Sequence, residues 1–452
     1  MPEMTYMRSS HLLLSPSRYR TDQGELVRLA YSARTGTLFP LAVETAARLE
    51  AGETDRVPGD SLARLIDVEA VVPEGEAELA TVLGRMRKGG SGARMRRFAL
   101  MPTAYCNMAC AYCGQEHRRT AIRERRATAT VERVLAALAD PETTRLNIMW
   151  FGGEPLMALR IIREMSRTFV AEAERLGKEY LSDITTNGSL LTERNLALLY
   201  EECRIRWFEI TLDGPAEVHD RRRLKKNGTG SFARVVSLIS DVVRKGRYPG
   251  LGFGIRVNID VHNEDHVSDL IADLACHGMG GDPRVKLSLA AVHSWGNDVS
   301  DREIGRRRYA GQEMEWLGLA QALGFEVSLL PAAARASTCI ATTRSAEVVD
   351  PDGGVYSCSE HPLVPGDRDR GLVATVEDLT AGDRRPAGMF DQWYDEVQDE
   401  AWPCARCPFL PVCGGGCPKR WKEGDIACPS YKFNWAGRMD LAAAARGLVL
   451  DD

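Results

Sequence analysis

Short apolar runs, each closing in a polar or glycine-bearing turn, recur through the middle of this chain. They read Leu100-Met-Pro-Thr-Ala-Tyr105, Asn147-Ile-Met-Trp-Phe151, Ser182-Asp-Ile-Thr-Thr-Asn187, Phe208-Glu-Ile-Thr-Leu-Asp213, Gly254-Ile-Arg-Val-Asn-Ile259 and Val285-Lys-Leu-Ser-Leu-Ala290. Helical stretches separate them, which predicts repeated βα units on a parallel sheet. Ahead of them, Leu26-Val-Arg-Leu-Ala-Tyr31 is strand-like, Ser32-Ala-Arg-Thr-Gly36 is a turn, and Leu41 to Glu50 carries apolar residues at helical spacing. Gly84 to Arg94 is basic and glycine-rich, and is expected to be a flexible linker. Beyond residue 330 the pattern fades. Pro403, Pro408, Pro411, Gly414-Gly-Gly416, Pro418 and Pro429 crowd a segment with little apolar surface, which needs covalent or metal staples to hold a fold.

Composition narrows the class. A length of 452 residues predicts two to four domains, and 44% hydrophobic content is ample for a packed core. A formal net charge of −5 gives no basis for broad nucleic-acid affinity. No apolar stretch reaches membrane-spanning length, and His11-Leu-Leu-Leu-Ser15 is too short for the apolar part of an export signal. The expectation is a cytoplasmic protein without membrane partners. There, twelve cysteines read as metal ligands rather than disulfides. Two of them, Cys203 and Cys276, stand in helical or apolar surroundings and are expected to be structural.

The other ten form two groups. Cys106-Asn-Met-Ala-Cys110-Ala-Tyr-Cys113 can place three thiolates on one tight loop. A [4Fe–4S] cluster usually takes four, so this loop leaves one iron open to a reacting molecule. Gly152-Gly153-Glu154-Pro155 ends a strand, where glycines let backbone approach a ligand closely. The second group runs Cys339, Cys358, Cys404, Cys407, Cys413, Cys417 and Cys428. A zinc ribbon would use two CxxC pairs, and only Cys404–Cys407 is one.

The CxxxCxxC loop with Tyr112 before its last cysteine, the GGEP segment and the later strand ends together resemble the radical S-adenosylmethionine (SAM) enzymes. The cysteine-rich segment resembles their SPASM extension. The resemblance implies a mixed α/β fold. A partial (β/α)6 barrel would span residues 96–330, and a SPASM domain with two auxiliary iron–sulfur clusters residues 331–452. Residues 1–85 resemble the small winged-helix domains that bind leader peptides as an added strand, with 86–95 as the linker. The implied cofactors are three [4Fe–4S] clusters and SAM. Cys106, Cys110 and Cys113 would bind the SAM cluster. Cys339, Cys358 and Cys417 would bind the first auxiliary cluster, one ligand short, and Cys404, Cys407, Cys413 and Cys428 the second. Gly152, Gly153, Glu154 and Pro155 would hold the SAM amino group, Thr211 and Arg223 its carboxylate, and Tyr112 would present backbone near its adenine. Gln115, Thr186, Asn187 and Asp213 are further candidates on the SAM side.

The catalytic base is not identified by this pattern; Glu360, His361 and His293 are candidates, and Trp295 is a further candidate for substrate contact. The resemblance implies a peptide maturase. It would use a 5′-deoxyadenosyl radical to crosslink a ribosomally made precursor, through carbon–carbon or thioether bonds. A precursor peptide and an external one-electron reductant such as flavodoxin or ferredoxin would be its partners. The alternative is a sulfatase-maturating enzyme oxidising Ser or Cys to formylglycine. The run from His219 to Phe232 resembles those enzymes, but they carry an aspartate directly after the cysteine matching Cys358, where this chain has Ser359 then Glu360. A non-catalytic iron–sulfur electron carrier would need the clusters but not GGEP.

Overall fold

The computed structural model describes residues 5–91 and 94–451. The chain opens with β1 (Tyr6–Arg8), β2 (Leu12–Leu14), β3 (Arg18–Arg20), β4 (Leu26–Ser32) and β5 (Thr37–Ala42). Strands β2 and β3 pair antiparallel with one edge of β4, and β5 pairs with the other. Helices α1 (Val43–Glu50) and α2 (Gly59–Asp67) follow, then β6 (Val71–Pro73) against β1. Leu12, Leu14, Ala30, Leu41, Leu49 and Leu65 form the small core beneath them.

Helix α3 (Glu78–Ser91) occupies most of the expected linker; residues 92 and 93 lie outside the described residues. The glycines here serve contact rather than flexibility. A Cβ on Gly89 would stand 2.3 Å from the Ala336 carbonyl oxygen, and the Gly90 carbonyl accepts from Ser345 Oγ at 2.9 Å. Val82, Leu83 and Met86 on the same helix pack against Trp393, Tyr394 and Val397. Close approach of two backbones is what removes side chains from such positions.

Six strands then lie parallel in the order β12-β11-β10-β9-β8-β7. They are β7 (Met95–Leu100), β8 (Arg145–Trp150), β9 (Glu179–Thr186), β10 (Trp207–Thr211), β11 (Gly252–Ile259) and β12 (Val285–Ala291). Between and after them run α4 (Glu124–Ala139), α5 (Leu159–Leu176), α6 (Glu193–Glu201), α7 (Ala216–Arg222), α8 (Phe232–Arg244), α9 (Val267–Cys276) and α10 (Arg306–Ala322). This is the sheet of a partial barrel. Ile148, Trp150, Ile184, Phe208 and Ile255 face the helices in one continuous core. The opposite face is polar: Arg97 Nε donates to Asn147 at 3.0 Å, and Asn147 Nδ2 to Asp183 at 3.1 Å. One apolar and one polar face is why these strands alternate instead of reading as unbroken apolar runs.

The first barrel strand ends where the sequence places its start: β7 finishes at Leu100, and Met101–Tyr105 is loop. The basic Met95-Arg-Arg hid it. Arg96 is buried because it shares Glu347 with Arg133. Glu347 belongs to β13 (Ala346–Val349), which pairs parallel with β7. Strands β14 (Gly354–Tyr356) and β15 (Leu372–Thr375) continue the sheet antiparallel. The cysteine-rich region therefore extends the barrel sheet directly.

The last strand, β16 (Val449–Asp451), returns to pair with β3. The helix Tyr431–Ala444 before it contributes Met439, Ala442 and Ala443 to a core shared with Leu13, Tyr19, Leu29 and Tyr31. The two ends of the chain are packed as one body. Among the described residues, no helix is long and apolar enough to cross a membrane. Cys203 is fully buried as expected, whereas Cys276 is exposed at the end of α9, where its turn of helix faces solvent.

Candidate active site at the carboxyl ends of the barrel strands

All six parallel strands direct their carboxyl ends to one side, the usual place for a site in such sheets. A cavity of about 350 Å³ lies there. Cys106, Cys110 and Cys113 line it from the loop after β7, Gly152 and Gly153 from the end of β8, Thr186 and Asn187 from β9 and Thr211 from β10. Gln115, Arg223, His293, Trp295, Ser359 and Glu360 complete the wall with Tyr112.

The loop is held from below. Gly152 has φ +126°, and a Cβ there would meet the Thr103 carbonyl oxygen at 2.8 Å. A side chain would lift the strand end off the cysteine loop. Glu154, fully buried, accepts from Thr186 Oγ1 at 2.6 Å, the Asn187 N–H at 2.7 Å and the Leu156 N–H at 3.0 Å. Its role visible here is to lock the end of β8 to the end of β9, with burial pushing its pKa up. Pro155 starts the single helical turn that follows. Asn187 Nδ2 in turn reaches the Cys106 sulfur at 3.8 Å. Burial pushes the Cys106 thiol up to about 12, so this cluster of thiols becomes thiolate only against compensating positive charge.

Three neighbouring arginines follow Asp220, and the fold separates them. Arg221 is exposed beside Glu217, and Arg222 binds Asp260 at 2.7 and 3.0 Å. Only Arg223 lines the cavity. It is buried, donates to the Tyr112 hydroxyl, lies 3.8 Å from Asp213, and keeps a buried Nε without a hydrogen-bond partner. A pinned guanidinium with an unspent donor suits a carboxylate ligand. Tyr112 acts here through its ring and hydroxyl, which donates to Asp213 at 2.5 Å. Asp213 also accepts from the Asn258 N–H at 3.0 Å.

The run from His219 to Phe232 is the brace for this arrangement. The Asp213 N–H donates to His219 Nδ1 at 3.3 Å, and His219 Nε2 lies 2.9 Å from Ser231 Oγ. Asp220 accepts from the backbone of Ser231 and Phe232. Burial pushes His219 down to about 3 from 6.5. The unfolded chain therefore binds the proton first, and this contribution to stability is lost as pH falls from about 6.5 towards 3. The expected slope from this residue is about 1.4 kcal/mol per pH unit. Urea titrations of the apoprotein at pH 5 and pH 7 should show the gap narrowed in His219→Asn.

The second cysteine group divides in space. Cys404, Cys407, Cys413 and Cys428 surround one small pocket, with Lys432 reaching Cys428 at 3.4 Å. Cys339 and Cys358 pack together, and Cys417 lies within electrostatic reach of both. Among the described residues, no three His, Cys, Asp or Glu side chains converge tightly enough for a single metal ion.

Of the three candidate bases, His293 and Glu360 line the cavity and His361 does not. His361 is fully buried, packed 5.6 Å from the Phe390 ring and against Gly371, because the turn after Cys358 points it into the protein. Sequence reasoning put Arg256 and Asn258 on a strand reaching the open face without giving them a role and missed Glu209; all three line the cavity. They alternate with apolar core positions on β10 and β11, which was the available signal.

Residues 100–274 match the radical SAM superfamily. The chain carries a radical SAM domain. A radical SAM domain implies SAM and a [4Fe–4S] cluster as cofactors, and the three thiols and the buried Arg223 are a donor set of the right chemistry for them. This radical SAM enzyme is 25% identical over 335 residues to the serine-type anaerobic sulfatase-maturating enzyme of Klebsiella aerogenes, covering 69% of this chain and 77% of that protein. It is 23% identical over 314 residues to the cysteine-type anaerobic sulfatase-maturating enzyme of Clostridium novyi (strain NT), covering 62% and 77%. A solved structure described as native anSMEcpe with bound AdoMet and Cp18Cys peptide matches the fold with a TM-score of 0.58 at 18% identity, over 78% of this chain and 99% of that one.

Proposed function

We propose that this radical SAM enzyme oxidatively crosslinks side chains of a ribosomally made precursor peptide through carbon–carbon or thioether bonds. When bound at a reduced cluster, SAM would supply a 5′-deoxyadenosyl radical able to take hydrogen from carbon. The protein's part is to bind, orient and exclude water. Arg223 would hold the SAM carboxylate from its buried position, and Glu154 would act as a positioning residue by fixing Thr186 and Asn187. His293 and Trp295 also line the cavity and would contact a peptide side chain there.

Crosslinking removes two electrons and two protons from the peptide. The two further thiol sets support auxiliary [4Fe–4S] clusters as the exit for the second electron, giving three clusters in all. They also support reading residues 331–452 as a SPASM domain. An external one-electron reductant of the flavodoxin or ferredoxin kind would prime the SAM cluster. The N-terminal unit would bind the leader segment along β5, which pairs with β4 on one side. A leaderless core peptide should then bind more weakly than the full precursor.

The observation that carries crosslinking over formylglycine formation is Ser359 at the cavity wall, directly after Cys358, where the sulfatase-maturating pattern has an aspartate. One observation favours the second reading: Glu360, the next residue, brings a carboxylate to the same cavity in a chain whose relatives include sulfatase-maturating enzymes. A hydrazide probe separates them. Peptide products from a crosslinking reaction carry no aldehyde and stay unlabelled. Hydrazide labelling of a sulfatase-derived Ser or Cys peptide, with no change in precursor peptide, would make formylglycine formation the activity.

A further inference from the structure

Glu360 is bound to nothing that explains its position. The chain turns at Cys358–His361, with the His361 N–H donating to the Cys358 carbonyl at 3.4 Å. Glu360 stands at the third position of that turn, and its own backbone N–H is directed at the Cys358 sulfur. The fold-back returns its carboxylate to the side of the thiols. It lies close enough to Cys358 and Cys417 for its charge to act on both. Oε2 is closed off from solvent and has no hydrogen-bond partner among the described residues.

A buried carboxylate oxygen without a donor is costly, and proteins keep one only where something compensates. The cations around it are committed elsewhere. Lys419 Nζ binds Glu423 at 2.8 Å and Asp367 at 3.1 Å, Arg420 Nε binds Asp425 at 2.6 Å, and Arg256 Nε donates to Asn258 at 2.9 Å. They reach Glu360 only through space. Meanwhile Cys339, Cys358 and Cys417 supply three thiolates, and the two remaining cysteines are far from them in the fold: Cys203 in the barrel core and Cys276 exposed on α9.

We propose that the Glu360 carboxylate is the fourth ligand of an iron–sulfur cluster held by Cys339, Cys358 and Cys417. This rests on the auxiliary-cluster reading above. A cubane cluster with three thiolates has one iron in need of a ligand, and Glu360 presents an oxygen with no other partner beside them. An oxygen donor is the harder, weaker ligand of a soft site, so this iron holds the bond that a substrate thiolate would displace. Because Glu360 also lines the main cavity, that iron would face the same space as Cys106, Cys110 and Cys113. No electron or atom is transferred in forming the bond beyond loss of any carboxyl proton to solvent.

The test uses full-length protein carrying Cys106→Ala, Cys110→Ala and Cys113→Ala, reconstituted with iron and sulfide. The protein is grown with glutamate labelled with ¹³C at the side-chain carboxyl. After reduction, pulsed electron–nuclear double resonance should show ¹³C coupled to a cluster. Glu360→Gln in this background should lose the coupling and keep about eight irons. Glu360→Cys, which offers a thiolate in the same place, should also keep the iron and lose the coupling. About eight irons with no ¹³C coupling, or with coupling that persists in Glu360→Gln, overturns the ligand assignment alone. Only about four irons, unchanged when Cys358→Ala is added, overturns the auxiliary-cluster reading and this proposal with it.

Discussion

Replacing Cys106, Cys110 and Cys113 together with alanine is expected to remove about four of about twelve irons and to abolish SAM cleavage. The three thiols line one cavity with Arg223, Gly152 and Gly153, and no other cysteine lines it among the described residues. The other seven candidate cluster ligands sit beside the sheet extension and around the pocket of Cys404, Cys407, Cys413 and Cys428, so their iron should be unaffected. Iron analysis and chromatography of 5′-deoxyadenosine read the two effects separately. Deoxyadenosine from the triple variant would show that SAM is cleaved elsewhere.

Glu347→Ala is expected to cost about 3–5 kcal/mol, a large share of the roughly 5–15 kcal/mol by which a folded domain is stable. Glu347 side-chain exposure is 0%, and those of Arg96 and Arg133 are 2% each. Arg133 donates to it at 2.6 and 2.9 Å and Arg96 at 3.1 Å. Removing the carboxylate strands two guanidinium groups in a dry interior at the seam of β7 and β13. Replacing all three with apolar residues of similar volume should cost far less, because no charge is then left unpaired. Urea unfolding of the two variants checks the contrast; equal losses would mean that packing, not charge, decides at this seam.

The fold class and the loops that line the cavity were more legible in this sequence than its strand ends and side-chain orientations. Three cysteines on a short loop and two glycines at a strand end have local causes, and local patterns record them. Arg223 shows where that stops. Nothing in Arg221-Arg-Arg223 says which one turns inward; the brace from His219 to Ser231 and the contact with Tyr112 decide it, and both are made in the fold. β7 was misplaced for a related reason, since Arg96 reads as solvent-facing until Glu347 arrives from 251 residues further on. Gly89 and Gly90 read as part of a flexible linker because the sequence does not show Ala336 packed against the first and Ser337 and Thr343 against the second. His361 looked like a base beside Glu360, and the turn that sends one inward and the other to the cavity is a backbone property.

The proposed reaction takes hydrogen from a peptide side chain in this cavity. Its most direct test is deuterium transfer. The reconstituted, reduced enzyme is given SAM and a candidate precursor peptide with its core residues fully deuterated. The account predicts deuterium in the released 5′-deoxyadenosine, together with a peptide product that has lost two hydrogens. Deoxyadenosine that forms without deuterium, while the precursor is bound and unchanged, would contradict it.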